Sequence, residues 1–398
     1  MNADMPNETK KLFDYYNTYF YLFGLKNFWV SDVALSQRFM KYYTIVQYLI
    51  LFLNVFFPIM IIGSFFTQKN LTEQQSSDRL IFGITLPGQW MFNVFLLMYK
   101  VEIRELLYKL AVVLKEHHNN AELEREMIKK IKVFSIGFCA LVCTIIVSYG
   151  LSSLFKVITA GENFSTIIPA WPDVQDSSKA AGAMRVAFYF CWYFFGLTNM
   201  GTYSLLVTLM LAICYQFRNL HSYFCSLEKI FEDKTLCQAE KEIKYEQAFK
   251  LGIQMHSLTL WCKKRHQYVC KEIFATETIL FFSMLLSQLT TLLGSDHNLA
   301  ELSTMFVIAL TTMIGLGFFM WNGGDITVEA SKLSDAMYSS GWENCYGQSS
   351  ARIRKLVVNA MRQAQEPVVY KTLGVVQLSY EAYVTLVKMP YTAVSVLY

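Results

Sequence analysis

The chain has 398 residues, of which 54% are hydrophobic, 16% aromatic and 17% charged. An average globular protein is about 25% charged, and the missing charges here leave long runs with none. A soluble protein of this length would need a polar coat that the composition does not supply, so the sequence indicates an all-α membrane protein. The net charge of +4 is small and does not suggest a nucleic-acid partner.

Seven segments are predicted to be membrane-spanning helices. A hydrocarbon core about 30 Å thick requires roughly 20 apolar residues of helix. The fifth segment reaches that length when the uncharged run 278–294 is extended back to residue 273. In chain order the segments are 42–66, 80–99, 133–155, 186–217, 273–294, 302–324 and 372–398.

The distribution of Lys and Arg predicts the orientation. One side of the membrane would hold residues 1–41, 100–132, 218–272 and 325–371. Those segments carry 29 basic residues, whereas the loops on the other side carry five. Because basic residues collect on the cytoplasmic side, we expect a cytoplasmic N-terminus and, after seven crossings, an extracellular C-terminus.

Two glycosylation sequons fall in the predicted outside loops. They are Asn70-Leu71-Thr72 and Asn163-Phe164-Ser165, so Asn70 and Asn163 are candidate glycosylation sites. The sequence has no nucleotide-binding loop, metallohydrolase motif, serine-hydrolase motif or Cys-x-x-Cys pair. It therefore predicts neither catalysis, nor a metal, nor another cofactor. No histidine falls in a predicted span, and an ordinary surface role is expected for each.

The last segment carries six polar residues on one helical face. Their spacing of three or four residues places them in a stripe along an otherwise apolar helix. In a bilayer such a stripe meets either water or other polar groups. One possibility is a water-filled pathway, and the other is pairing with Glu277, Ser287 and Gln288 of the fifth span. The stripe consists of Gln377, Glu381, Thr385, Lys388, Thr392 and Ser395.

Seven spans also occur in G-protein-coupled receptors, but those receptors have an extracellular N-terminus. This chain lacks an Asp/Glu-Arg-Tyr triplet at the end of the third span and an Asn-Pro-x-x-Tyr motif in the seventh. A transporter built from inverted repeats is disfavoured because the two halves do not match in span length. These classes remain the less favoured alternatives.

A spaced series of residues follows between 342 and 391. The series consists of Trp342, Arg352, Arg354, Lys355-Leu356, Met361, Gln363-Ala364-Gln365, Pro367, Gly374, Leu378-Ser379-Tyr380-Glu381, Lys388 and Pro390-Tyr391. It resembles the C-terminal signature of insect odorant receptors, whose members carry a Trp, a basic pair, Met-x-x-Ala/Ser-Gln-x-Pro, Leu-Ser-x-Glu and then Ser-Tyr near the end. The gustatory receptors, which are close relatives, usually end with Thr-Tyr and a later Gln-Phe pair that is absent here.

The resemblance implies an odour-tuning subunit of a ligand-gated, non-selective cation channel. Such subunits form tetramers with a co-receptor in the plasma membrane of sensory-neuron dendrites and respond to small volatile molecules. Residues 1–324 would hold the N-terminal tail and six spans, 325–371 a cytoplasmic helical anchor, and 372–398 the pore-lining span. The alternative is a gustatory-type channel that forms homomers.

The resemblance also implies candidate site residues. Aligned at Tyr391, the family's gate valine falls on Val394, and the next pore position falls on Leu397. Val394 lies roughly 130° around the helix from the centre of the polar stripe, so the two do not face the same way. Glu381, Lys388, Thr392 and Ser395 are the pore candidates on the stripe. The ligand candidates, in the outer half of the bundle, are Phe82, Thr85, Ile145, Ser148, Tyr149, Phe188, Tyr189, Trp192, Phe195, Met305 and Ile308.

Overall fold

The computed structural model describes residues 7–25, 36–294 and 299–397, without the side chains of 74, 294, 299–301, 396 and 397. Helices dominate these residues, as the composition predicts. They are α1 (Glu8–Leu22), α2 (Gln37–Thr67), α3 (Glu73–Met98), α4 (Lys100–Tyr108), α5 (Leu114–His117), α6 (Ala121–Ala160), α7 (Lys179–Ser226), α8 (Lys229–Glu232), α9 (Gln238–Gly294), α10 (Leu299–Ser331), α11 (Leu333–Tyr338), α12 (Ser350–Ala364) and α13 (Tyr380–Leu397).

Short elements join some of the helices. A π-helical turn (Lys109–Val113) links α4 to α5, and a 3₁₀ turn (Trp342–Asn344) precedes α12. The strands β1 (Lys371–Thr372) and β2 (Val376–Gln377) pair antiparallel just before α13. The region expected to be a cytoplasmic anchor therefore contains the end of α10, two further helices and the first strand.

Each predicted span overlaps a helix. In the described part of the chain, α2, α3, α6, α7 and α10 are long and apolar enough to cross a membrane. The predicted fifth span is the C-terminal part of α9, and the seventh is α13. The count of seven spans and the orientation of the termini stay predictions.

The last helix begins at Tyr380 and not at residue 372. Its start is delayed because the chain first turns back on itself. Residues 373–375 connect the paired Thr372 and Val376, and Leu373 and Gly374 have φ of 52° and 75°, the left-handed conformation found in tight hairpin turns. The hydroxyl of Ser379 then accepts a backbone N–H in the first turn of α13, at 3.2 Å. Gln377 consequently lies in β2 and does not belong to the helical stripe.

Helix α7 occupies the centre of the bundle. Nearly every side chain from Thr198 to Phe217 is buried, and α7 packs against α1, α2, α3, α6, α9, α10 and α11. Its buried hydroxyls are satisfied across helices. The hydroxyl of Tyr16 lies 2.8 Å from that of Ser204 and 3.0 Å from that of Ser135, which ties α1 to α7 and α6.

Two histidines of α9 correct the expectation of surface roles. His256 is 4% exposed and His266 is 0% exposed, because α9 extends well before its predicted span and packs on α7 there. The Nε2 atom of His266 lies 3.3 Å from the carbonyl oxygen of Leu206. Burial lowers the pKa of His256 to about 4 and that of His266 to about 3.

The buried histidines predict a loss of stability in acid. Since the pKa of His256 in the folded chain lies below its unfolded value of about 6.5, the unfolded chain binds more protons between these values. The stability that neutral His256 contributes to the folded chain is complete above about pH 6.5 and is lost as pH falls toward 4. We expect His256→Phe to remove about 2 kcal/mol of the destabilisation between pH 7 and pH 5.

The measurement is the thermal unfolding midpoint of the detergent-purified chain at the two pH values. His117→Phe, at an exposed position on α5, is the matched control and should retain the wild-type pH dependence. A His256→Phe chain that loses as much stability as the wild type between pH 7 and pH 5 would show that His256 does not contribute to acid lability.

Candidate functional site

An inner cavity of about 160 Å³ lies where α3, α6, α7, α9 and α10 converge. Its walls are mainly aromatic and aliphatic, with Phe138, Trp192 and Phe281 among them. Two glycines, Gly196 on α7 and Gly315 on α10, contribute wall without a side chain. An apolar enclosure with a few polar groups is the usual form of a small-molecule site.

A second, larger cavity of about 660 Å³ lies beside it, toward the predicted outer side. Its lining is more polar and includes Asp78, Lys156 and Gln288. Ile81 and Ile308 line both cavities, so they form part of the wall between them. The two cavities are therefore adjacent.

Three aromatic rings complete the wall between the cavities. Phe82 and Trp192 line the inner cavity, and Tyr149 lines the outer one. The ring centres are 5.1 to 5.6 Å apart with edge-to-face geometry. The hydroxyl of Tyr149 donates to Asp78 at 3.2 Å, which fixes this ring against α3.

The structure places the predicted ligand residues in three groups. Phe82, Thr85, Ile145, Trp192 and Ile308 line the inner cavity. Tyr149, Met305 and Ile308 line the outer cavity. The remaining four, Ser148, Phe188, Tyr189 and Phe195, are absent from the described lining of both cavities. Their roles as ligand contacts stay predictions.

The four residues outside the cavity walls have packing or backbone partners. The hydroxyl of Ser148 donates to the carbonyl of Ile145 at 2.8 Å, and that of Tyr189 donates to Ile146 at 3.1 Å. Phe188 and Phe195 are buried in the apolar cluster around α2. Their aromatic character therefore reflects helix packing in this structure.

Several cavity residues escaped the sequence prediction. The missed polar residues are Gln89, Asn199, Tyr203, Glu277, Thr311 and Thr312. Glu277 is recognisable in the sequence as a carboxylate inside a predicted span. The sequence suggested a different role for it, pairing with the polar stripe of the last helix. Its placement in the cavity depends on how α9 is rotated against α7 and α10, which the hydropathy pattern does not specify.

The last helix packs on α9 and α10 through one face. Leu386, Pro390 and Val394 are buried on that face, and Val394 is only 5% exposed. The hydroxyl of Tyr383 donates to the carbonyl of Met313 at 3.1 Å, which holds α13 against α10.

The polar stripe lies on the opposite face. Glu381, Thr385, Lys388, Thr392 and Ser395 are all exposed, roughly 180° around the helix from the centre of the buried face at 100° per residue. The three hydroxyls donate to backbone carbonyls within α13 itself. The expected alternative, in which the stripe pairs with residues of the fifth span, is wrong because that face points away from α9.

The structure describes the side chain of only one of the two gate candidates, Val394 and Leu397. Val394 is buried against its own chain, so it would have to turn outward to close a central pathway. Its role as a gate stays a prediction. The side chain of Leu397 lies outside the described residues.

The base of α13 is fitted closely against α10. A Cβ on Gly323 would lie 2.5 Å from the Cβ of Leu378 and 3.0 Å from its carbonyl oxygen, and one on Gly324 would lie 2.9 Å from the ring of Tyr380. The hydroxyl of Tyr380 donates to Asp325. The same carboxylate pairs with Lys130 of α6 at 3.3 Å, so three helices meet at this point.

The two sequons differ in their surroundings. Asn70 is exposed in the turn between α2 and α3. The side-chain amide of Asn163, the group that a glycan would modify, donates to the carbonyl of Val174 at 3.1 Å. Asn70 is therefore the more accessible site, and the use of either one stays a prediction.

The family is decided by comparison with known proteins. The family model of the 7tm odorant receptors matches residues 90–391, which is more than half of the chain. The chain belongs to the 7tm odorant receptor family. It is thus a member of a receptor family and not of an enzyme family, and its apolar helices are those of a membrane protein.

The fold of this odorant receptor is also that of a solved insect receptor. The olfactory receptor OR5 from Machilis hrabei in complex with eugenol superposes with a TM-score of 0.80 at 13% identity, covering 99% of each chain. A second structure of OR5 from Machilis hrabei gives a TM-score of 0.78 at 11% identity, with 99% of each chain covered. No curated protein sequence matches the chain.

The close contact at Gly323 predicts a stability effect. We expect Gly323→Ala to lower the unfolding free energy by about 1–3 kcal/mol, because the new methyl group would overlap Leu378 and push the base of α13 away. Gly137→Ala is the control, since Gly137 lies within α6 with nothing within 4 Å of its added Cβ. The measurement is the thermal unfolding midpoint of each purified variant. A Gly323→Ala midpoint equal to or above that of Gly137→Ala would refute the contact.

Proposed function

We propose that this odorant receptor is the odour-tuning subunit of a ligand-gated, non-selective cation channel formed with a co-receptor. The observation that carries the proposal is the last helix, which is docked by its apolar face and exposes a polar stripe along its length. Polar groups on a membrane helix face water or a protein partner and not lipid. Several subunits around one axis would place these stripes along a shared aqueous path.

The stripe offers suitable chemistry for a weakly selective cation path. Hydroxyls of Thr385, Thr392 and Ser395 would replace part of an ion's hydration shell, and the carboxylate of Glu381 would attract cations. The ammonium of Lys388 would oppose them, which limits selectivity and conductance. All five side chains are exposed in the single chain, so an assembly would be needed to enclose the path.

We assign the ligand to the inner cavity. An apolar cavity of about 150 Å³ is enough to hold benzene, so about 160 Å³ fits a molecule with one small ring or a short chain. OR5 from Machilis hrabei was solved in complex with eugenol, and a small organic ligand is proposed here for the same kind of receptor. The outer cavity would serve as its entrance.

Helix α10 would connect the two sites. Ile308, Thr311 and Gly315 of α10 line the inner cavity. Within the same stretch the carbonyl of Met313 accepts a hydrogen bond from the hydroxyl of Tyr383, and further along the helix Gly323 lies against the base of α13. A ligand that binds more tightly when α10 is displaced would favour the open state by that difference in affinity.

The cavity assignment predicts a contrast between two neighbouring residues. In cells that express the chain with a co-receptor, Trp192→Ala should shift the half-maximal concentration of an activating volatile at least threefold, because Trp192 lines the inner cavity. Ser148→Ala is the control, since the Ser148 hydroxyl is bonded to its own helix and should shift the response less than twofold. The measurement is the whole-cell current against ligand concentration.

Two outcomes of that experiment contradict the proposal in different ways. Equal responses for the wild type and both variants would place the ligand elsewhere. Ligand-evoked current of the same size without the co-receptor would contradict the hetero-oligomer and favour a homomeric channel. The plasma membrane of sensory-neuron dendrites is the proposed location, and surface labelling confirms delivery of each variant in the test cells.

A further inference from the structure

The inner cavity contains a carboxylate with no partner in the described chain. Glu277 lines the cavity from α9, and its Oε1 would lie 3.4 Å from a Cβ on Gly315. No described Lys or Arg lines this space, and no described hydrogen bond or ion pair engages the Glu277 side chain. A carboxylate enclosed among apolar walls is costly unless a donor or a cation satisfies it.

The other hydroxyls of the cavity do not supply that donor. The hydroxyl of Tyr203 donates to the carbonyl of Gly315. Those of Thr85, Thr311 and Thr312 each donate at 2.8 Å to a carbonyl of their own helix. These oxygens therefore present lone pairs to the cavity, and the cavity as a whole is rich in acceptors.

One of the two amide groups on the described cavity wall is already engaged. The Asn199 amide nitrogen donates to the carbonyl of Phe195, and its oxygen accepts from Asn93 at 3.0 Å. The amide of Gln89 has no hydrogen-bond partner among the described residues and is the remaining neutral donor on the wall. A ligand that complements this arrangement brings several N–H or O–H donors with it.

The aromatic walls favour a cation over a neutral donor. The rings of Phe138, Trp192, Tyr203 and Phe281 surround the same space. An ammonium over the face of an aromatic ring is attracted by the negative face of the ring, most strongly in desolvated sites. A carboxylate opposite such rings provides the charge partner, as in sites that bind organic cations.

We propose that the inner cavity takes a protonated primary amine carrying one small ring or a short alkyl chain. The ammonium would pair with Glu277 and donate to the threonine oxygens, while the hydrocarbon part would contact the aromatic walls. The inference rests on the proposed function, because it assigns the ligand class of the same ligand-gated channel. No covalent step is involved.

The test compares two probes of the same shape, benzylamine and benzyl alcohol. In cells expressing the full chain with a co-receptor, benzylamine should activate the wild type at a concentration at least tenfold lower than benzyl alcohol. Glu277→Gln keeps the side-chain shape and removes the charge, so it should reduce this preference at least tenfold. Glu277→Asp keeps the charge and should retain an intermediate preference.

Two controls distinguish the effect of the Glu277 charge from an effect on folding or on delivery to the membrane. Glu272→Gln removes a carboxylate on the same helix outside the cavity lining and should retain the wild-type preference for benzylamine. Surface labelling checks that each variant reaches the membrane. If Glu277→Gln does not reach the membrane, the proposal is tested by the preference of Glu277→Asp for benzylamine over benzyl alcohol and by the binding experiment below.

The binding experiment uses the purified wild-type chain without any channel measurement. Benzylamine should raise the thermal unfolding midpoint more than the same concentration of benzyl alcohol. A channel that opens to benzyl alcohol and equally well or less well to benzylamine overturns the amine proposal and leaves the channel proposal intact. Absence of ligand-evoked current with preferential stabilisation by benzylamine overturns the channel proposal alone. Absence of both effects overturns both.

Discussion

Helix α7 is enclosed by the other helices along most of its length, and both candidate sites follow from that constraint. Within its apolar segment, 89% of the residues are buried. Because α6, α9 and α10 each pack against α7, the cavity that Gly196 of α7 lines is bounded by all of them. Because α9 and α10 occupy the sides of α7, α13 reaches only their outer surface and keeps one face exposed.

The cavity and the last helix are connected through α10 by direct contacts. One stretch of α10, around Ile308 to Gly315, forms cavity wall. Its continuation meets α13 at Gly323 without space for a methyl group, and Asp325 joins Tyr380 to Lys130. Close-packed contacts of this kind transmit displacements because they have no void to absorb them. In the proposed gating, α10 would therefore move between the inner cavity at one end and the base of α13 at the other.

The sequence predicted what depends on local pattern. Uncharged runs located the helices, the three- and four-residue spacing located the polar stripe, and the C-terminal motif located the family. Long-range packing was not predictable in the same way. The burial of His256 and the position of Glu277 in the cavity depend on how α9 is rotated against α7 and α10. The start of α13 depends on a left-handed turn at Leu373, a conformation that residue type alone does not favour.

The central claim is that the polar stripe of α13, and not the buried face of Val394, lines the ion path. The direct measurement is the rate at which an impermeant, positively charged thiol reagent modifies Thr392→Cys and Val394→Cys in the ligand-opened channel. Wild type, with its nine native cysteines, sets the background. The account predicts rapid loss of current for Thr392→Cys and the background rate for Val394→Cys. Rapid loss for Val394→Cys with Thr392→Cys unaffected would contradict it.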